Sequence, residues 1–87
     1  MKYALLYAPS AERDARKLPG EVLDRLLPRL DALADDPRGP GTKALKGDRK
    51  GMRCLRVGDY RVTYRVDDGE RTVEVVRMGH RESFYDR

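Results

Sequence analysis

Apolar and polar positions alternate with period two along four stretches of the chain and recur at helical spacing along two more. Lys2–Ala8 sets Tyr3, Leu5 and Tyr7 on one side, which predicts an opening strand. Pro9 and Ser10 interrupt it, and Ser10 is expected to cap a short helix over Ala11–Leu18 with Ala11, Ala15 and Leu18 as its narrow apolar stripe. A second helix is predicted from Glu21 to Ala34, where Val22, Leu23, Leu26, Leu27, Leu30, Leu33 and Ala34 form a broad apolar face. Pro28 lies inside it and removes a backbone donor, at a cost of ~3 kcal/mol in a helix interior. The apolar spacing continues beyond Pro28, so a kink is expected there rather than a break.

Asp36–Gly51 reads as a loop, because Pro37, Gly39, Pro40, Gly41, Gly47 and Gly51 all discourage regular structure. Three strands follow, at Met52–Val57, Tyr60–Val66 and Thr72–Met78, joined by Gly58-Asp59 and by Asp67-Asp68-Gly69. The expected architecture is α+β. An N-terminal helical hairpin packs on one face of a mostly antiparallel four-stranded sheet. The 87 residues make one domain, spanning 1–87.

Alternation also sorts the chemistry. Tyr60, Val62, Tyr64 and Val66 share one side of their strand, while Arg61, Thr63 and Arg65 share the other. With the helices over Leu55, Val57, Tyr60, Val62, Tyr64, Val73 and Val75, the opposite face shows Met52, Cys54, Arg56, Arg61, Thr63 and Arg65. Guanidinium groups fixed on a sheet suit planar, bidentate recognition of phosphate, so a nucleic-acid backbone is the first ligand to consider.

Charge supports that ligand. The chain carries a net +4, distributed as −2 over residues 10–36, +7 over residues 37–66 and −2 over residues 67–87. Such a concentration is the footprint of a polyanion partner. The cations expected to touch RNA are Lys43, Lys46, Arg49, Lys50, Arg53, Arg56 and Arg65. One cysteine, Cys54, allows no internal disulfide, and with a single His80 it makes no zinc site, so no metal is expected. No apolar run approaches the ~20 residues that cross a bilayer. The opening MKYALLYAPS is too short for a signal peptide, and the cytoplasm is the expected compartment.

The C-terminal run MGHRESFYDR can fold back over the sheet edge and bring His80, Arg81 and Tyr85 toward the arginines. That collection suits attack of an RNA 2′-hydroxyl on its own adjacent phosphate. The nucleophile belongs to the substrate, arginine offsets the charge of the phosphorane, and a neutral imidazole can take the proton. A tyrosine can stack on a base.

The ordered runs LKG, RCLRVGDYRVTYRV and VVRMGHRESFY, with the helix end ALADDP before them, resemble the RelE toxins of the RelE/ParE superfamily. The resemblance extends over nearly the whole chain. It implies the toxin of a type II toxin–antitoxin module, a ribosome-dependent mRNA endonuclease that works without metal or other cofactor. It further implies an acidic cognate antitoxin as partner, and contact with operator DNA only through the toxin–antitoxin complex. By position, Arg61 matches the arginine that stabilises phosphate charge, Arg81 one that assists the leaving group, and Tyr85 the tyrosine that orients the cleaved nucleotide. The family's two strand lysines are replaced by Met52 and Cys54. Arg53 between them should point to the other face, His80 is the candidate substitute base, and Arg56 or Lys46 are further phosphate contacts. Two other readings stay open: a ParE-like inhibitor of DNA gyrase on the same fold, and a catalytically weak member that acts with its antitoxin in operon repression.

Overall fold

In the computed structural model, which describes residues 2–45 and 51–80, seven elements follow one another along the chain. They are β1 (Ala4–Tyr7), α1 (Pro9–Arg16), α2 (Gly20–Asp35), β2 (Thr42–Ala44), β3 (Met52–Val57), β4 (Tyr60–Asp67) and β5 (Thr72–His80). The strands form one sheet in the order β1-β5-β4-β3-β2. β2, β3, β4 and β5 pair antiparallel to their neighbours, whereas β1 runs parallel to β5. This corrects the expected four-stranded, mostly antiparallel sheet: the sheet is mixed and five-stranded. The additional strand lies in the segment read as a loop, where glycines hide three paired residues.

β2 depends on one of those glycines. Gly41 has φ +83, a left-handed conformation that L side chains rarely adopt, so a side chain here would be strained. Its carbonyl accepts the Arg56 N–H at 2.9 Å and thereby anchors the short strand beside β3.

The expected helical hairpin is also corrected. α1 packs on β5 and β1, and α2 spreads over β1, β3 and β5, but neither uses the other as its main partner. A groove of about 480 Å³ opens between them, lined by Tyr7, Ala11, Ala15, Leu23, Leu27 and Met78. The small side chains of α1 are the reason, since Ala11 and Ala15 offer too little volume to fill a helix–helix seam. Ser10 is not the cap either. Pro9 takes the first helical position behind Ala8, where its missing N–H costs nothing. The Ser10 hydroxyl instead donates to the Val76 carbonyl at 2.6 Å.

That bond belongs to a device at the sheet edge. β1 pairs with β5 only as far as Val75, which leaves the second half of β5 without a strand on that side. Ser10 and Asp14, one turn apart on α1, take its place: Ser10 meets the Val76 carbonyl, and Asp14 Oδ2 accepts the Met78 N–H at 3.0 Å. An unpaired strand edge invites foreign pairing, and here a helix closes it.

α2 continues to Asp35, so Pro28 does not end it; the proline stands on the solvent side, where water can meet the freed carbonyl. The buried side of α2, Val22, Leu26, Leu30 and Leu33, meets Leu55, Val62, Tyr64, Val73, Val75 and Met78 of the sheet. Each fully buried side chain of this size contributes roughly 1.5–3 kcal/mol. Tyr64 crosses the core with no exposed surface, and its hydroxyl donates to the Pro37 carbonyl at 2.5 Å. At the far end, Asp68 in the β4–β5 turn accepts from the Tyr3 hydroxyl at 2.7 Å and from Arg38 at 2.9 and 3.2 Å.

One irregularity sets which side chains face which way. Thr63 pairs with Arg77 and Tyr64 with Val75, so Val76 has no partner on β4 and forms a bulge. Before it, Val73 and Val75 face the helices; after it, Met78 and His80 do, opposite Val62 and Tyr60.

Candidate functional site

Among the described residues, the face of the sheet away from the helices is a field of cations on a floor of small residues. Lys43 on β2 stands opposite Cys54 on β3, Cys54 opposite Thr63 on β4, and Thr63 opposite Arg77 on β5. In the next row Arg56 faces Arg61, and Arg61 faces Gly79; on the other flank Met52 faces Arg65, which faces Glu74. Cys54 and Thr63 are each only 6% exposed, so the centre of the face is low and the rim of Lys43, Arg56, Arg61 and Arg65 stands above it.

The sequence forces this arrangement through strand alternation, because every second residue of β3 and β4 on the other side is core. Arg56 and Arg61 therefore confront each other directly across a strand pair. Like charges in that position are destabilising. Arg65 is balanced by Glu74 at 3.0 Å in an exposed ion pair, which leaves its side chain more than half accessible. Arg77 is turned to the sheet edge, where Asp14 binds its Nε at 2.7 Å; this hydrogen bond holds the guanidinium more firmly protonated than usual. The face can thus bind a phosphodiester through several guanidinium groups and one ammonium.

The residues singled out from the sequence divide into three groups. Lys43, Arg56, Arg61 and Arg65 share the open face. Arg53 and His80 do not join them. Arg53 lies on the helix side, as alternation requires, and donates to Thr42 Oγ1 at 3.0 Å. His80 pairs with Tyr60, with ring centroids 5.3 Å apart in an edge-to-face contact, and borders a cavity of about 340 Å³ with Asp14, Lys17 and Pro19. The bulge at Val76 places it there, and no local sequence signal announces the bulge. Lys46, Arg49, Lys50, Arg81 and Tyr85 lie outside the described residues.

Sequence reasoning missed two features of this site. Arg77 extends the cationic row, and period two alone could not reveal it across the bulge. Lys43 was read as a loop cation, although a strand seats it against Cys54. The short polar–apolar alternation of Thr42, Lys43, Ala44 and Leu45 between glycines was the available signal. Arg38, in the same basic segment, is engaged with Asp68. Among the described residues, no helix is long and apolar enough to cross a membrane.

Known proteins share this fold and much of this sequence. Residues 5–85 match the family model of the ParE toxin of type II toxin–antitoxin systems, parDE. Toxin RelG of Mycobacterium tuberculosis is 34% identical over 88 residues, spanning 100% of both chains. The toxin–antitoxin complex RelBE2 of the same organism superposes with a TM-score of 0.85 at 32% identity, over 93% of this chain and 100% of the other. The isolated RelE toxin of E. coli superposes with a TM-score of 0.78 at 28% identity, over 90% of this chain and 83% of its own. A family-model match over residues 5–85, together with a relative 34% identical over the full length of both chains, makes this chain a member of the RelE/ParE toxin superfamily, from a type II toxin–antitoxin module.

Proposed function

We propose that the chain is a ribosome-dependent mRNA endonuclease that cleaves by 2′-hydroxyl attack on the adjacent phosphate. The observation that carries the reading is the direct opposition of Arg56 and Arg61 over the Cys54–Thr63 floor. Guanidinium groups on two directly paired positions of adjacent strands can converge on one phosphodiester. A phosphorane carries more charge than the ground-state diester, so donors fixed around it favour the transition state over the substrate. Arg61, on the rim of the open face, takes the non-bridging oxygens. By resemblance, Arg81 assists the leaving group and Tyr85 stacks on the nucleotide. Arg56 and Arg65 hold the flanking backbone.

A cognate antitoxin is the expected partner, since the M. tuberculosis relative forms the toxin–antitoxin complex RelBE2. Inducible expression followed by mapping of mRNA ends tests the reading. Cuts within codons of translated messages, abolished by Arg61→Ala with antitoxin affinity retained, are expected. Equal cutting by that variant overturns the role of Arg61, and intact translated mRNA overturns the nuclease. One observation favours a second reading, poisoning of DNA gyrase: the matching family model is that of the ParE toxin. SOS induction with intact mRNA is its signature.

A further inference from the structure

Cleavage by 2′-hydroxyl attack forms one phosphorus–oxygen bond and breaks another. As the bond to the 5′-oxygen breaks, that oxygen leaves as an alkoxide and has to gain a proton. Among the described residues, the open face is rich in charge but poor in groups that can supply one. Arg56, Arg61, Arg65 and Arg77 carry guanidinium groups, which stay protonated in proteins and therefore act as fixed charges. Glu74 is committed to Arg65 at 3.0 Å. Cys54 is buried in the floor, with Sγ 3.8 Å from the Leu55 carbonyl.

Lys43 differs from all of these. It is exposed, and it stands on β2 directly opposite Cys54. Thr42, its neighbour, turns to the helix side, where it donates to the Gly39 carbonyl at 2.7 Å and accepts from Arg53. Alternation then sends Lys43 to the open face. Adjacent strands lie about 4.8 Å apart, so the Lys43 backbone is roughly 10 Å from that of Thr63, beside Arg61. A flexible four-carbon stem with three rotatable donors spans the low floor between them.

We propose that Lys43 is the general acid that protonates the departing 5′-oxygen. The inference rests on the nuclease reading and names one more residue within it. The 2′-hydroxyl proton is lost to water, the 2′-oxygen bonds to phosphorus, and the Lys43 ammonium gives its proton to the 5′-oxygen. The products are a 2′,3′-cyclic phosphate and a 5′-hydroxyl, and water returns the ammonium to its charged form. Arg61 holds the non-bridging oxygens throughout and transfers no proton.

The test is single-turnover cleavage of a short mRNA programmed on ribosomes, made once with the ordinary linkage and once with sulfur in place of the 5′-bridging oxygen. A thiolate leaves without protonation. Lys43→Ala is expected to slow the ordinary substrate by roughly 10²-fold to 10⁴-fold, and to cut the sulfur substrate at the rate of the unaltered chain. Lys43→Arg keeps the charge but not the transferable proton, and should behave like Lys43→Ala. Full activity of either variant on the ordinary substrate overturns the assignment, as does equal slowing of both substrates. No cutting of either substrate by the unaltered chain would instead overturn the nuclease reading itself. Antitoxin binding by each variant reports that the fold is intact.

Discussion

Replacing Asp14 with alanine should destabilise the domain by about 2 kcal/mol, most of it through one backbone N–H. Asp14 Oδ2 accepts from Met78 N at 3.0 Å and from Arg77 Nε at 2.7 Å, and Oδ1 lies 3.4 Å from Arg77 Nη2. The Asp14 side chain is 13% exposed and that of Arg77 is 57% exposed. Solvent screening on the arginine side limits the ion pair to about 0.2–1 kcal/mol. The Met78 N–H is different, because losing its acceptor in a part-buried position costs about 1–3 kcal/mol. Asp14→Asn separates the two contributions, since the amide oxygen still accepts from Met78 while the charge is gone. Urea unfolding followed by circular dichroism should rank the unaltered chain above Asp14→Asn, and Asp14→Asn above Asp14→Ala. In a domain of this size each ~1 kcal/mol moves the melting temperature by about 4–8 °C, so Asp14→Ala should melt roughly 10 °C lower. An Asp14→Ala midpoint indistinguishable from the unaltered one would show that α1 does not close the β5 edge. Equal losses in both variants would assign the effect to the ion pair.

Three further outcomes follow from contacts described above. Arg56→Thr relieves the opposition to Arg61 and should raise stability by about 0.2–1 kcal/mol, while lowering the salt slope of single-stranded RNA binding by roughly 0.7; a less stable variant with an unchanged slope contradicts both. Tyr64→Phe leaves the Pro37 carbonyl without its buried donor and should cost about 1–3 kcal/mol at an unchanged denaturant slope. The hydrogen bond from Arg38, then that from Tyr3, holds the Asp68 carboxyl below its ordinary value of 3.8. The fold therefore favours the carboxylate, and this contribution is complete above the ordinary value and lost as pH falls through the lower, folded one. NMR titration should show the Asp68 midpoint rising in Arg38→Ala, and an unmoved midpoint would remove Arg38 as the cause.

The parts of the fold legible in the sequence are those governed by a single period. β3 has the predicted limits, and the division of β4 into a core side and an arginine side follows from alternation alone. α2 is legible because four buried residues repeat on one stripe. β2 is not, since three residues between glycines carry too little pattern, and their pairing depends on Gly41 accepting the Arg56 N–H from a distant strand. The parallel pairing of β1 with β5 is a tertiary choice that no local signal records. Within the candidate site, Arg56, Arg61 and Arg65 could be placed together from spacing, but His80 could not, because a bulge reverses the phase of β5 after Val75.

That extra residue makes the terminal half of β5 a parity switch. If Val76 paired with Thr63 instead of bulging, strict alternation would turn Met78 away from Leu26 and Leu30 and swing Arg77 into the place Met78 holds opposite Val62 beneath the helices. His80 would then emerge among the arginines. A homologue that lacks this one residue and pairs regularly would keep everything downstream on the same surface as here, so aligning it to this chain without a gap at Val76 would equate residues that face opposite sides.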